Sequence, residues 1–299
     1  MIQNKLKKKL NEGKAAIGTF MVCNAPDLVE IAGLAGFDFV IIDNEHGPMR
    51  AESSQHLIRA AELRGITPIV RIPDILESTI LHTLDIGAHG IQVPQVNDAL
   101  AAKEIVEKSK YEPIGKRGLA FPKSADYGLC DISNYTNNAN EETLIITHCE
   151  NKICLENLEE ICKVPEVDVI FLGPYDMSQS MGVTGQVTHE LVESAAVKVL
   201  DITRKYNKIA GIFAGSGEVA KKRAEQGFKY IAIGMDTTLF SSKCTEEVNK
   251  FFNCSVIPIP LSLISKHTWL SSSIYPRTLT MPPSFRGSNP CRQAFSTRG

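Results

Sequence analysis

Neither a CxxC pair, nor an excess of positive charge, nor an apolar run approaching the roughly 20 residues of a membrane span occurs in these 299 residues. Without CxxC pairs, the eight cysteines build no zinc or dithiol framework, and their scatter suits reduced core residues of a cytoplasmic protein. A formal charge of −2 gives no pull toward nucleic acid or membrane, which leaves small molecules as the expected partners. The basic start "MIQNKLKKKLNEGK" has no apolar segment behind it, so it reads as a surface helix and not as a signal peptide. No GxGxxG follows any early apolar run, which counts against an open, dinucleotide-binding sheet.

What is present is an alternation. Eight short apolar runs read as strands: 17–22, 37–42, 67–72, 89–94, 143–148, 168–173, 209–214 and 229–234. Between them, "PDLVEIAGLAG", "QHLIRAAELRG", "NDALAAKEIVEKSK" and "VAKKRAEQG" repeat apolar residues at helical spacing, and several close on the glycine expected after a helix. Near-continuous apolar strands separated by helices imply a parallel sheet covered by helices. Eight such units favour closure into an α/β fold of the (β/α)8 TIM barrel type.

A barrel also explains "FVIIDNEHGP" (39–48), where buried-strand residues run straight into two carboxylates and an imidazole. Barrel enzymes place chemistry where strands end, at the C-terminal rim. Arg71, Gln95, Glu150, Asp176, Ser216 and Asp236 close or follow other strands, so polar groups are expected to converge there. Taken singly, each is an ordinary solvated loop residue. Glu150 and Asp176 close consecutive strands, and neighbouring strands lie about 4.8 Å apart. Two carboxylates so placed repel unless a cation sits between them, and hard oxygen ligands suit Mg²⁺ or Mn²⁺. In the competing reading each pairs with a lysine or caps a helix, as Asp176 is able to do. No lysine closes any strand, and Lys208 and Lys229 begin theirs, which counts against a Schiff-base mechanism.

The blocks "GFDFVIIDNEHGP", "VRIPD", "LDIGAHGIQVPQV", "PIGKRG", "CENKICLENLEEICKVPEVDVIFLGPYDMSQSMG" and "GF" before "YIAIGMD" resemble, in order and spacing, the HpcH/HpaI family of metal-dependent (class II) pyruvate aldolases, which includes 4-hydroxy-2-oxoheptanedioate and 2-keto-3-deoxy-glucarate aldolases. The resemblance runs from about residue 5 to about residue 250. It implies a barrel of the phosphoenolpyruvate/pyruvate-binding type, a homo-oligomer that is usually hexameric, and cleavage of 4-hydroxy-2-oxo acids to pyruvate and an aldehyde. Carried onto this chain, it implies Glu150 and Asp176 as ligands of a divalent cation, Mg²⁺ or Mn²⁺ first and Co²⁺ or Zn²⁺ next. It implies Arg71 beside the substrate's C2 oxygen and His46 in proton transfer, supported by Asp43 and Asp85. The turn Gly173, Pro174, Tyr175, Asp176 would hold the pyruvate carboxylate through backbone N–H groups.

The chain departs from the family at two positions. The family usually carries glutamine two residues before the metal-binding glutamate, whereas this chain reads "THCE". Strand alternation turns His148 to the same inward face as Glu150, either to contact substrate or metal or as a satisfied core histidine. Tyr175 stands where small residues are common, and both changes bear on the aldehyde pocket. The alternative function is a metal and 2-oxo-acid-binding barrel with lost or altered activity, for example on acyl-CoA or ester substrates.

Weaker motifs invite no separate role. "GSG" (215–217) and "GMD" (234–236) occupy loops where many barrels bind phosphate, and alternation turns Cys149 outward into packing. From Cys254 to Gly299 there is no Asp or Glu, while Lys266, Arg277, Arg286, Arg292 and Arg298 occur among serines and prolines. The expected division is an aldolase barrel over residues 1–253 and a disordered, non-family tail over 254–299.

Overall fold

In the computed structural model, residues 3–252 are described, and the expected tail from 254 to 299 lies outside them. A first helix, α1 (Lys5–Asn11), precedes strand β1 (Ala16–Met21) and helix α2 (Pro26–Ala35). Then follow β2 (Phe39–Asp43), α3 (Ala51–Arg64), β3 (Thr67–Arg71), α4 (Glu77–Asp85), β4 (Gly90–Val93) and α5 (Ala99–Ser109). The second half continues with α6 (Ile132–Glu142), β5 (Leu144–Cys149), α7 (Lys152–Glu156), α8 (Leu158–Cys162), β6 (Val169–Leu172) and α9 (Pro174–Ser180). It closes with α10 (Glu190–Lys205), β7 (Ile209–Ala214), α11 (Gly217–Gln226), β8 (Tyr230–Met235) and α12 (Asp236–Phe252). All eight strands are parallel, each pairs with the next, and β8 returns to β1, closing the barrel. The eight runs read from the sequence are these strands, shifted by a residue or two at their ends.

The local signals are physical. Helices α2 and α3 stop at Gly36 and Gly65, whose φ of 97° and 70° place them in the left-handed region where a side chain is strained. Inside the barrel, every second strand residue points inward: Phe20, Phe39, Ile41, Ile69, Ile146, Phe171 and Tyr230 pack together. The alternate residues, among them Val40, Ile42, Val70, Ile145, Cys149 and Leu172, pack outward against the helices. Leu6 and Leu10 of α1 join the inner cluster and close the barrel's N-terminal end. Burying each contributes about 1.5–3 kcal/mol. Asn4 caps α1 and ties it to the sheet, accepting from the Lys7 N–H and donating to the His89 and Glu142 carbonyls.

Register positions the chemistry. Asp43 lies level with Arg71 across β2 and β3, Arg71 with Gln92 across β3 and β4, and His148 with Phe171 across β5 and β6. Alternation turns all of them into the barrel, and the chain continuations beyond β5 and β6 carry Glu150 and Asp176.

Candidate active site

Arg71 ends β3 inside the mouth, and its guanidinium is fixed on three sides. It donates to both oxygens of Asp43, from Nε at 2.9 Å and from Nη2 at 2.6 Å, and Nη1 lies 3.0 Å from Glu45 Oε2. Its planar group also sits 4.9 Å over the Phe20 ring. Burial pushes the Asp43 carboxyl up, but Arg71 and the backbone N–H groups of His46 and Glu45 outweigh that and hold it below its ordinary value. The same ion pairs keep Arg71 charged despite its burial.

Asp43 is therefore occupied by Arg71 and by the loop backbone. Its support of His46 reaches the His46 N–H at 3.2 Å and not the imidazole. The His46 side chain is 70% exposed, with Nε2 3.9 Å from Glu45 Oε2, and is the most exposed member of the cluster. Asp85 is not brought to this cluster within the chain. It ends α4, five residues before β4 begins, and so lies at the N-terminal rim, where Arg117 donates to it at 2.7 Å.

Glu150 is 3% exposed and each of its oxygens already accepts one hydrogen bond. The Gln95 N–H donates to Oε1 at 2.7 Å, and His148 Nδ1 lies at hydrogen-bond distance from Oε2, also at 2.7 Å. Gln95 aims its N–H there from a left-handed φ of 55°, a strained backbone of the kind that persists at ligand sites. Asn151 steadies the same loop through the side-chain oxygens of Gln95 and Asn97. Asp176 lies in the first turn of α9, after Gly173 and Pro174. A methyl group built on Gly173 would stand 3.1 Å from Glu150 Oε2 and 3.8 Å from Asp176 Oδ2, so both carboxylates border one small space that any larger residue at 173 would fill.

The electrostatics of that space are those of a carboxylate pair. Burial raises Glu150, yet His148, the Gln95 N–H and Arg71 bring it below its ordinary value. Asp176 is raised, first by burial and then by the Glu150 charge. Burial raises Glu45 too, against the lowering pull of Arg71, His46 and His148. A divalent cation between Glu150 and Asp176 would relieve the repulsion, and two carboxylates would leave its other positions to water and substrate oxygens. Among the described residues no group of three or more His, Cys, Asp or Glu is arranged to hold a metal ion by itself.

Two residues of the expected rim serve the scaffold instead. Ser216 caps α11 through the Val219 N–H, and Asp236 accepts from the Val22 and Cys23 N–H groups, sealing β8 against β1. Cys149 faces outward as expected, and the Cys154 contact and burial hold its thiol well above its ordinary value. Glu45 stands where the run 39–48 ends in its second carboxylate, but it had no role assigned from the sequence. Gln92 and Tyr230 also belong to the site and were missed, since they sit within apolar strands and carry no motif.

The model of the HpcH/HpaI aldolase/citrate lyase family matches residues 16–242. The 2-keto-3-deoxy-L-rhamnonate aldolase of Salmonella gallinarum is 30% identical over 253 residues, covering 84% of this chain and 94% of the relative. The hydroxypyruvate/pyruvate aldolase of Roseobacter denitrificans is 34% identical over 236 residues, covering 79% and 92%. Among solved structures, the HpcH/HpaI aldolase from Desulfitobacterium hafniense superposes with a TM-score of 0.80 at 28% identity, covering 85% of this chain and 98% of that one. Barrel, strand-end carboxylates and the match over most of the chain agree: this chain belongs to the HpcH/HpaI aldolase/citrate lyase family.

Proposed function

We propose that the chain is a divalent-metal-dependent aldolase that cleaves 4-hydroxy-2-oxo acids to pyruvate and an aldehyde. The observation that carries this reading is the space at Gly173, bordered by one carboxylate held below its ordinary value and one held above it. Glu150 and Asp176 would hold the cation, Mg²⁺ or Mn²⁺ by their hard oxygen donors, with Co²⁺ or Zn²⁺ as substitutes. When bound, the ion supplies Lewis-acid polarisation of the substrate's 2-oxo group.

The chain's own residues do the rest. Breaking the C3–C4 bond sends its electron pair into the C3–C2–oxygen system, so negative charge grows on the C2 oxygen. Arg71, held rigid by Asp43 and Glu45, is a preorganised cation for that charge. The C4 hydroxyl proton must leave as the aldehyde forms, and the exposed His46 imidazole is the base suited to take it, directly or through water. The N–H groups of Tyr175 and Asp176 fall in the first turn of α9, where no intrahelical acceptor exists, and suit the substrate carboxylate. Tyr175 packs edge-on against Phe213, ring centroids 5.8 Å apart, and forms a wall of the aldehyde side. The relatives named above place sugar-derived and short 2-oxo acids first among substrates to test. Exposed Leu239, Phe240, Val248, Phe251 and Phe252 on α12 support assembly into a homo-oligomer.

The test is pyruvate release, followed with a lactate dehydrogenase couple, across a panel of 4-hydroxy-2-oxo acids. Release should stop on EDTA treatment and return with Mg²⁺ or Mn²⁺, and borohydride with pyruvate should label nothing. Activity indifferent to EDTA, together with a borohydride adduct, would overturn the reading in favour of a lysine mechanism.

A further inference from the structure

A buried polar chain crosses the barrel interior from β8 to the mouth. The Tyr230 hydroxyl donates to Gln92 Oε1 at 2.8 Å, Gln92 Nε2 lies 2.7 Å from His148 Nε2, and His148 Nδ1 lies 2.7 Å from Glu150 Oε2. Tyr230 and Gln92 are fully buried and His148 is 2% exposed, so water offers no ready substitute partner. Aromatic rings enclose the chain: Phe39 stacks on Tyr230 with centroids 4.3 Å apart, and Phe171 lies edge-on to Tyr230 and tilted against the His148 ring at 4.9 Å. The imidazole plane is thereby fixed, and only its two nitrogens can meet polar atoms.

Counting donors and acceptors then settles where the protons sit. An ionised Glu150 only accepts, so His148 Nδ1 must carry a hydrogen. Tyr230, held protonated by its burial, gives its hydroxyl hydrogen to the Gln92 oxygen, which turns the amide nitrogen toward His148. An N–H donor facing Nε2 requires that nitrogen to be bare. Reversing the amide would leave the phenol hydrogen without an acceptor among the described residues, and an unmade buried hydrogen bond costs about 1–3 kcal/mol.

We infer that Tyr230, Gln92 and His148 form a positioning relay, which locks the imidazole in its Nδ1–H tautomer and so aims the Glu150 carboxylate, leaving its remaining lone pairs toward Asp176. None of the three touches the reacting atoms, and each acts through the next. The metal side of this inference rests on the reading of Glu150 as a ligand, whereas the tautomer does not. Partners of this kind, one step behind a metal ligand, typically change metal affinity about 10–100-fold when removed.

The experiment uses the full chain labelled with ¹⁵N in its histidine rings, with Mn²⁺ affinity read from the electron paramagnetic resonance of the free ion. The His148 signals are assigned by their loss in His148→Gln. The wild type should show His148 as the Nδ1–H tautomer. Gln92→Met, which keeps the volume but offers no N–H, should leave Nε2 without its partner, shift the His148 ring signals and weaken Mn²⁺ binding about 10-fold or more. Tyr230→Phe should do the same to a smaller degree, and circular dichroism should show both variants folded. An Nε2–H tautomer or an imidazolium in the wild type at neutral pH would overturn the relay, as would a Gln92→Met protein with unchanged His148 ring signals and unchanged affinity. A wild type that shows the Nδ1–H tautomer and binds no Mn²⁺, with its His148 ring signals shifted in Gln92→Met, would uphold the relay and sink the ligand reading alone.

Discussion

At the barrel's N-terminal rim, Lys110 is fully buried and donates to the Asn140 and Thr143 carbonyls at 2.6 and 2.8 Å. Nearby, Asp168 takes an ion pair from Lys7 at 3.0 Å on one oxygen and the Ile145 N–H at 2.8 Å on the other. Lys208 donates to the Val164 and Pro165 carbonyls in the same way. Each charge there is answered inside the chain. At the C-terminal rim the groups are held from behind only: Glu150 by Gln95 and His148, and Arg71 by Asp43 and Glu45, with carboxylate oxygens left facing the space at Gly173. Buried charge that is fully matched fixes a fold, while buried charge matched on one side awaits a ligand.

The difference breaks most sharply at Glu150. Glu150→Gln should cost roughly a thousandfold in kcat/KM, about 4 kcal/mol, while leaving the melting temperature unchanged or raised, because a repelling charge is gone. Metal analysis after exhaustive dialysis should find stoichiometric ion in the wild type and none in the variant. Unchanged activity and metal content together with a lowered melting temperature would mean that the upper rim is scaffold like the lower one. Arg71→Lys comes next. A lysine cannot reproduce the two-pronged grip on Asp43, so steady-state kinetics should show kcat down about 10²–10³-fold with a smaller change in KM. A change confined to KM would demote Arg71 to substrate binding.

Much of this division could be read from the chain before folding. Apolar runs broken abruptly by Asp43, Arg71 and Glu150 mark inward strands ending at a rim, since only there do charged groups follow buried ones without a spacer. Period-two alternation also assigned Cys149 and His148 to opposite faces. What stayed hidden depends on geometry between distant strands. Gln92 and Tyr230 are 138 residues apart and look like ordinary strand residues until barrel closure sets them side by side. Asp236 and Ser216 carry the same rim signal as the working residues, because a helix cap and a catalytic acid are the same residue types in the same loops. Lys110 gave no signal, since its role is to close the end of α6, and only the packed structure shows the carbonyls waiting for it.

The lower rim makes the opposite prediction, and a smaller one. Lys110→Met should leave kcat/KM unchanged and lower stability by about 1–3 kcal/mol at pH 7, the cost of two buried carbonyls losing their donor. The deficit should depend on pH. Burial, helped by the Lys7 charge, brings the Lys110 amine down from 10.5 to about 8 in the folded protein. Between those values the unfolded chain keeps a proton that the folded chain has released, so this group's contribution grows as pH rises from about 8 toward 10.5 and is lost on the way back down. Urea unfolding of both proteins at pH 7 and pH 10 should show the gap between them widening at the higher pH, by no more than about 3 kcal/mol. A gap that stays constant would mean the two carbonyls, as acceptors, keep the amine charged throughout, and a loss of aldolase activity in step with stability would erase the contrast between the two rims.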